Sequence, residues 1–204
     1  MQEGVEIHLT KNIPISAGLG GGSSNAAQTI IALSKLWKLD ISAEEMHMIA
    51  EKFGSDINFF LTGGCALGTE RGNVISSLDP IHLDNILLIN PGFEIASRDA
   101  YNLVEISKNN NDWEKLIETT DPNYCFNKLE EGIVKRYPDI KNIIDHLNKN
   151  GVKKAMLSGS GATVIGFCPN NETAQNLSKH YSKKNFWNII TKTKKGERNG
   201  NYRC

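Results

Sequence analysis

Apolar and polar positions alternate at the start of the chain, with Val5, Ile7 and Leu9 set against Glu6, His8 and Thr10, the signature of a half-buried strand. The period then changes. Ala26, Ala27, Ile30, Ile31, Leu33, Leu36 and Trp37 recur at helical spacing, which predicts a helix over 23–38 with a wide buried face and Trp37 in the core. Ser42 and Glu45 read as a capping box ahead of the stripe Met46, Ile49, Ala50 and Phe53, with Gly54 as the stop. Short strands are expected over 63–69 and 72–78 around a turn at Glu70–Gly72, and a buried strand over 84–90 ends at Pro91-Gly92. A helix carrying Ala100, Tyr101, Leu103 and Val104 follows, then a polar loop at 109–112. Further helices are expected around Trp113, Leu116 and Ile117, and around Phe126, Leu129 and Ile133. Pro138 suits the first turn of a helix striped by Ile140, Ile143, Ile144 and Leu147 and stopped at Gly151. Strands at 155–157, 163–168 and 186–191 then enclose a helix at 172–181. The stretch 192–204 is polar and basic without periodicity, and reads as disordered or edge-attached. Strands and helices interleave irregularly, which favours an α+β fold in two lobes over a doubly wound parallel sheet.

Composition narrows the classes. Lysine plus arginine and aspartate plus glutamate both total 23 in 204 residues, so no basic field points to nucleic acid. No apolar run approaches the ~20 residues of a membrane span, and the first residues lack the pattern of a signal peptide. Cys65, Cys125, Cys168 and Cys204 lie far apart with no C-x-x-C pair, which suits reduced thiols in a cytosolic protein.

The stretch Pro14 to Ala27 stands out chemically. Four of the five residues from Gly18 to Gly22 are glycine, followed by Ser23, Ser24 and Asn25, all N-cap types. A glycine loop entering a helix aims backbone N–H groups and the positive end of the helix dipole at one spot, which suits a phosphate. It is not a G-x-x-x-x-G-K-[ST] loop, since no lysine follows the glycines. Nor is it a dinucleotide fingerprint, because Asp40 and Glu44 fall at a helix-to-helix junction. A bound anion would therefore need positive charge from a metal or from elsewhere in the chain. Ser158-Gly-Ser-Gly161 is a second small-residue loop. Asp56 lies between Gly54 and the pair Phe59-Phe60, and spacing alone favours a cap on the following turn.

Pro14-x-x-x-Gly18-Leu-Gly-Gly-Gly-Ser-Ser-Asn-Ala-Ala27 resembles the ATP-binding second motif of the GHMP kinase superfamily, and Ser158-Gly-Ser-Gly-Ala-Thr163 resembles its third motif. The triple glycine, Gly54-Ser-Asp-Ile-Asn-Phe-Phe60 and Asn127-Lys-Leu-Glu130 are similar to the branch acting on diphosphocytidyl-methylerythritol in the methylerythritol phosphate route to isoprenoids. The likeness runs from residue 5 to about 192. It implies a two-lobed fold, a ribosomal-protein-S5-like first lobe over 1–80 and a ferredoxin-like second lobe over 81–192, with a polar tail at 193–204. It implies ATP-dependent phosphorylation of the acceptor's 2-hydroxyl, with Asp56 as the base, made discriminating by burial beside Phe59 and Phe60. Pro14, Ala17, Gly18, Leu19, Gly20, Gly21, Gly22, Ser23, Ser24 and Asn25 would bind ATP. The Ser23 and Ser24 hydroxyls would be available to phosphate or Mg²⁺. Ser158, Gly159, Ser160 and Gly161 would line the same cleft from the second lobe. Tyr101 matches an aromatic that stacks on the acceptor's cytosine, and Lys11 a position near the adenine side. The implied partner is a cytidine-diphosphate-linked sugar alcohol, with no nucleic acid and no membrane, in a monomer or weak homodimer of the bacterial cytoplasm; a plastid home also fits.

The chain departs from that family in lacking several dozen residues at its start, with a lysine that assists the aspartate and a Gly-Tyr-His segment. Asn58 stands for a proline, and Lys128 for an aspartate. The expectation is an N-terminally truncated kinase whose first lobe exposes a sheet edge and an apolar face. A non-catalytic nucleotide-binding remnant, or another superfamily kinase such as homoserine or mevalonate kinase, are the alternatives.

Overall fold

The computed structural model describes residues 4–104 and 113–194. In its first lobe, α1 (Gly21–Leu36), α2 (Ala43–Glu51) and α3 (Ser55–Thr62) pack around Ala27, Ile31, Met46, Ala50, Ile57 and Leu61. A hairpin of β1 (Cys65–Thr69) and β2 (Val74–Leu78) lies beside α3. The α2 start forms as a full capping box: Glu45 N–H donates to Ser42 Oγ at 3.2 Å, and Ser42 N–H donates to Glu45 Oε2 at 2.7 Å.

The second lobe is a four-stranded antiparallel sheet in the order β4-β5-β3-β6, formed by β3 (Ile86–Asn90), β4 (Lys154–Leu157), β5 (Val164–Phe167) and β6 (Trp187–Thr191). The chain passes through α4 (Ser97–Asn102), α5 (Trp113–Thr119), a 3₁₀ turn (Pro122–Tyr124), α6 (Glu130–Arg136), α7 (Pro138–Lys149) and α8 (Asn171–Ser182). Strand alternation sorts β3: Leu87 and Ile89 join the main core with α7 and α8, while Ile86 joins Met156 and Phe167 in a smaller cluster. Pairing aligns Ala155, Gly166, Leu87 and Ile190 in one row, and α7 seats Leu147 over Gly166, where a Cβ would meet it at 3.2 Å. The mixed, two-sheet architecture matches the α+β expectation.

Several local expectations change. No strand forms over Val5–Leu9. Among the described residues β1 and β2 pair only with each other, so the alternating segment has no ladder, and Ile7 and Leu9 are 58% and 61% exposed. Ile13 and Ile15 are exposed as well, so the first lobe does present the expected apolar face. Helix α1 begins at Gly21 with Gly20 as its N-cap in the left-handed region, which places Ser23, Ser24 and Asn25 inside the helix rather than at its cap. At its other end Leu36 is exposed and Trp37 half-buried, so the buried face is narrower than the periodicity suggested. Phe53 lies past the end of α2 and is exposed. The expected polar loop at 109–112 lies outside the described residues, as does 195–204. The start of the tail is edge-attached: Thr193 N–H donates to Leu83 O at 2.9 Å, and Leu83 N–H donates to Thr193 Oγ1 at 2.9 Å.

Candidate active site

The two lobes meet around a cleft of about 560 Å³. From the first lobe it is lined by Lys11, the stretch Pro14–Ser23, and Asp56; from the second by Ser97, Tyr101, Leu129, Gly159 and Ser160. Most of the residues singled out by sequence are thus brought to one place. Ser24 and Asn25, the next residues of α1, and Ser158 and Gly161, the two ends of the second loop, are not among the lining residues.

Each glycine of the first loop answers a different demand. At Gly18, where φ is +72°, a Cβ would stand 1.9 Å from the Ser158 carbonyl oxygen and 2.8 Å from Gly161 N. At Gly20 it would stand 2.5 Å from the Phe60 ring, and at Gly21 2.8 Å from Ile13 Cδ1. Only Gly22 of these four has nothing within 4 Å, and it lies exposed on the cleft wall. Three of the four glycines therefore let protein approach protein, and one leaves open space where a ligand would sit.

The start of α1 supplies the anion-binding geometry. The first intrahelical bond runs from Ser24 N–H to Gly20 O at 2.9 Å, so the N–H groups of Gly21, Gly22 and Ser23 precede the helical ladder. They open a helix of sixteen residues, which places the positive end of the dipole at the cleft. Lys11 Nζ donates to Gly21 O at 3.1 Å and adds a cation at that end. Among the described lining residues it is the one lysine or arginine.

Asp56 lies in the first turn of α3. It is exposed, which corrects the expected burial beside Phe59 and Phe60. Those rings instead pack edge to face, with centroids 5.2 Å apart, and Phe60 presses on Gly20, which ties the helix of Asp56 to the glycine loop. The capping role that spacing favoured for Asp56 is not the one formed: the α3 N-cap is Gly54, without a side-chain hydrogen bond. Asn58 is buried and its Nδ2 donates to Asn73 O at 3.2 Å, while Asn73 Nδ2 donates to Glu51 Oε1 at 2.8 Å. This chain of amides fastens α3 to the β1–β2 turn and to α2.

Tyr101 is 68% exposed at the rim, with its ring free to be covered. Sequence reasoning missed Ser97 and Leu129 as wall residues. Ser97 Oγ lies 3.2 Å from Ser160 Oγ, across from the second glycine loop. No local motif marks Ser97, and Leu129 reads as a core position because its spacing to Ile133 is helical.

The lobes are joined through the loops themselves. Ser158 Oγ donates to Gly18 O at 2.8 Å, Thr163 N–H to Ala17 O at 3.3 Å, and Ile95 N–H to Ser16 O at 3.5 Å.

Residues 1–64 match the model of the GHMP kinases N terminal domain, and residues 100–186 that of the GHMP kinases C terminal domain. The chain is 34% identical over 206 aligned residues to 4-diphosphocytidyl-2-C-methyl-D-erythritol kinase of Thermodesulfovibrio yellowstonii, covering 95% of this chain and 72% of that protein. It is 35% identical to the enzyme of the same name from Syntrophus aciditrophicus, covering 92% and 69%. For the one from Caldanaerobacter subterraneus subsp. tengcongensis the identity is 38%, covering 81% and 61%. Such relatives are longer, and the chain spans between 61% and 72% of the lengths of these three. A crystal structure of 4-(cytidine 5'-diphospho)-2C-methyl-D-erythritol kinase superposes with a TM-score of 0.75 at 25% identity, covering 87% of this chain and 67% of that one. Homoserine kinase from Cytophaga hutchinsonii shares the fold at a TM-score of 0.67 and 17% identity, covering 90% and 68%.

Proposed function

The chain belongs to the GHMP kinases, and from that premise we propose that it transfers the γ-phosphate of ATP to the 2-hydroxyl of 4-diphosphocytidyl-2-C-methyl-D-erythritol, a step of isoprenoid biosynthesis. The observation that carries this reading is the cleft itself, where the start of α1, the second glycine loop and the Asp56 carboxylate face one volume. The acceptor assignment is supported by relatives of that name at 34% to 38% identity. Residues 1–80 and 81–192 are read as the two kinase domains, and 193–204 as a tail.

In this reading the N–H groups of Gly21, Gly22 and Ser23 bind nucleotide phosphates, and Gly22 leaves them room to approach. Lys11 adds charge at the same helix end or on the adenine side. The acceptor hydroxyl attacks the γ-phosphorus as its proton passes to Asp56, and the bond to the ADP oxygen breaks. Positioning and charge stabilisation do most of the work in such transfers, and general-base action adds about 10²–10⁴ in rate. Tyr101 at the rim offers a face to the cytosine ring.

Magnesium fits the site only with a nucleotide. Among the described residues no group of three or more His, Cys, Asp or Glu side chains gathers to hold a metal. Magnesium ordinarily takes one or two carboxylates, water and substrate phosphates, and Asp56 with the Ser23 hydroxyl is such a partial set. When bound it would neutralise phosphate charge. No described helix is long and apolar enough to cross a membrane. Free thiols at Cys65, Cys125 and Cys168 suit a reducing cytoplasm.

The test is ADP release by the purified chain given ATP, magnesium and the diphosphocytidyl acceptor. Turnover lost in Asp56→Ala supports the assignment. ATP binding without turnover would make the chain a nucleotide-binding remnant, and preference for homoserine or mevalonate would overturn the acceptor.

A further inference from the structure

Leu157 ends β4, an edge strand of the second sheet, and leads straight into the glycine loop at the cleft. Alternation along a strand turns the N–H of Ser158 inward, where it donates to Thr163 O at 2.8 Å, and the N–H and C=O of Leu157 outward, away from any strand. Unpaired, these two groups would be a cost, because the Leu157 side chain is fully buried and water has little access to its surroundings. Both are taken by side chains of one turn. Glu130 Oε2 accepts from Leu157 N–H at 2.7 Å, and Asn127 Nδ2 donates to Leu157 O at 3.0 Å.

The same amide nitrogen of Asn127 also donates to Gly159 O at 2.7 Å, and its Oδ1 accepts from Leu129 N–H at 3.0 Å. A carboxamide alone among side chains of this size offers two donors on one atom and an acceptor on the next. Aspartate would keep the bond to Leu129 but face two carbonyl oxygens with negative charge. The bond to Gly159 matters because the loop is loose by composition: Gly159 and Gly161 both hold positive φ, at +51° and +83°, and glycine backbone is costly to fix.

From the far side the loop is seated on the first lobe through the Ser158 hydroxyl and Gly18 carbonyl. Leu129, from the turn that carries Asn127 and Glu130, forms part of the cleft wall next to Gly159 and Ser160. We propose that Asn127 and Glu130 are positioning residues for the nucleotide: by gripping Leu157 and Gly159 they hold the Ser158–Gly161 loop closed against Gly18, and so set how tightly the cleft binds ATP. The proposal rests on the nucleotide reading of the cleft. Neither residue lines the cleft itself, so each acts through the loop.

The experiment compares wild type with Asn127→Asp, Glu130→Gln and Glu130→Ala, measuring ATP–magnesium affinity by calorimetry, thermal midpoint, and hydrogen exchange at residues 157–163. Asn127→Asp and Glu130→Ala are expected to weaken ATP about tenfold and to speed exchange in the loop. Glu130→Gln, which retains an acceptor for Leu157 N–H, should stay within about threefold of wild type by the same reasoning. Variants that lower the thermal midpoint while leaving ATP affinity within about twofold, a change too small for a lost hydrogen bond, would reduce the clamp to a purely structural one and overturn the proposal. If Asn127→Asp fails to fold, the contrast between Glu130→Gln and Glu130→Ala decides alone. A wild-type chain that binds no ATP overturns the reading of the cleft together with this proposal, whereas binding that ignores the substitutions overturns this proposal only.

Discussion

The Ser158 hydroxyl donates to the Gly18 carbonyl at 2.8 Å, and the Gly18 Cα packs against the Ser158 carbonyl oxygen so closely that a Cβ would stand 1.9 Å from it. The two glycine loops are therefore one structure built across both lobes. Alanine at Gly18 meets backbone, which cannot swing aside as a side chain can, and must also hold φ at +72°. Gly18→Ala should cost about 1–3 kcal/mol or more and abolish ATP binding at the same time. Chemical unfolding and calorimetry read both effects, and a variant as stable as wild type would show that the lobes do not meet there.

Gly22 gives the opposite expectation. It lies within α1, nothing stands within 4 Å of its would-be Cβ, and it faces the cleft. Gly22→Ala should keep or raise stability, by up to about 1 kcal/mol from helix propensity, yet weaken ATP because the methyl group occupies the approach to the helix end. Undiminished affinity would move the phosphate site away from this turn.

Asp56→Asn tests the base. The side chain is exposed in the first turn of α3 and caps nothing, so the substitution should leave the thermal midpoint almost unmoved. Turnover should fall by about 10²–10⁴ with ATP affinity within a few-fold of wild type. A loss smaller than about tenfold in single-turnover measurements would assign the proton to another acceptor.

Much of this site could be read in the chain, for a physical reason. Gly18 to Ser24 and Ser158 to Gly161 are local sequences whose small residues have few uses other than close approach. The helix over Pro138–Lys149 was equally plain, since proline, stripe and glycine stop agree. What stayed hidden is non-local. That Gly18 serves the second lobe rather than a ligand depends on Ser158, 140 residues away. Asp56 is left exposed because Phe59 and Phe60 pack against each other, and Phe60 against Gly20, rather than against the carboxylate. The alternation at Val5–Leu9 signalled a strand, but a strand exists only where a neighbour supplies its ladder. Helix α1 starts earlier than its serines suggest because Gly20, in the left-handed region, already turns the chain into it.

The buried side of the second lobe predicts how stability changes in alkali. Cys168 is 5% exposed and Tyr181 2% exposed, and burial pushes the thiol up to about 11 and the phenol up to about 12. In the unfolded chain the thiol loses its proton near 9 and the phenol near 10. Between those values and the folded ones the native state binds more protons than the unfolded state, so stability falls as pH rises. The stabilising contribution is fully present below about pH 9 and fades up to pH 11–12. For Cys168 alone the decline should amount to about 2 kcal/mol. Urea unfolding of wild type and Cys168→Ala at pH values from 8 to 11 measures it. The variant starts lower, because the cavity it leaves costs stability, but its curve should be shallower above pH 9. Parallel curves over that window would mean that the thiol titrates alike in both states and that its surroundings are open to water.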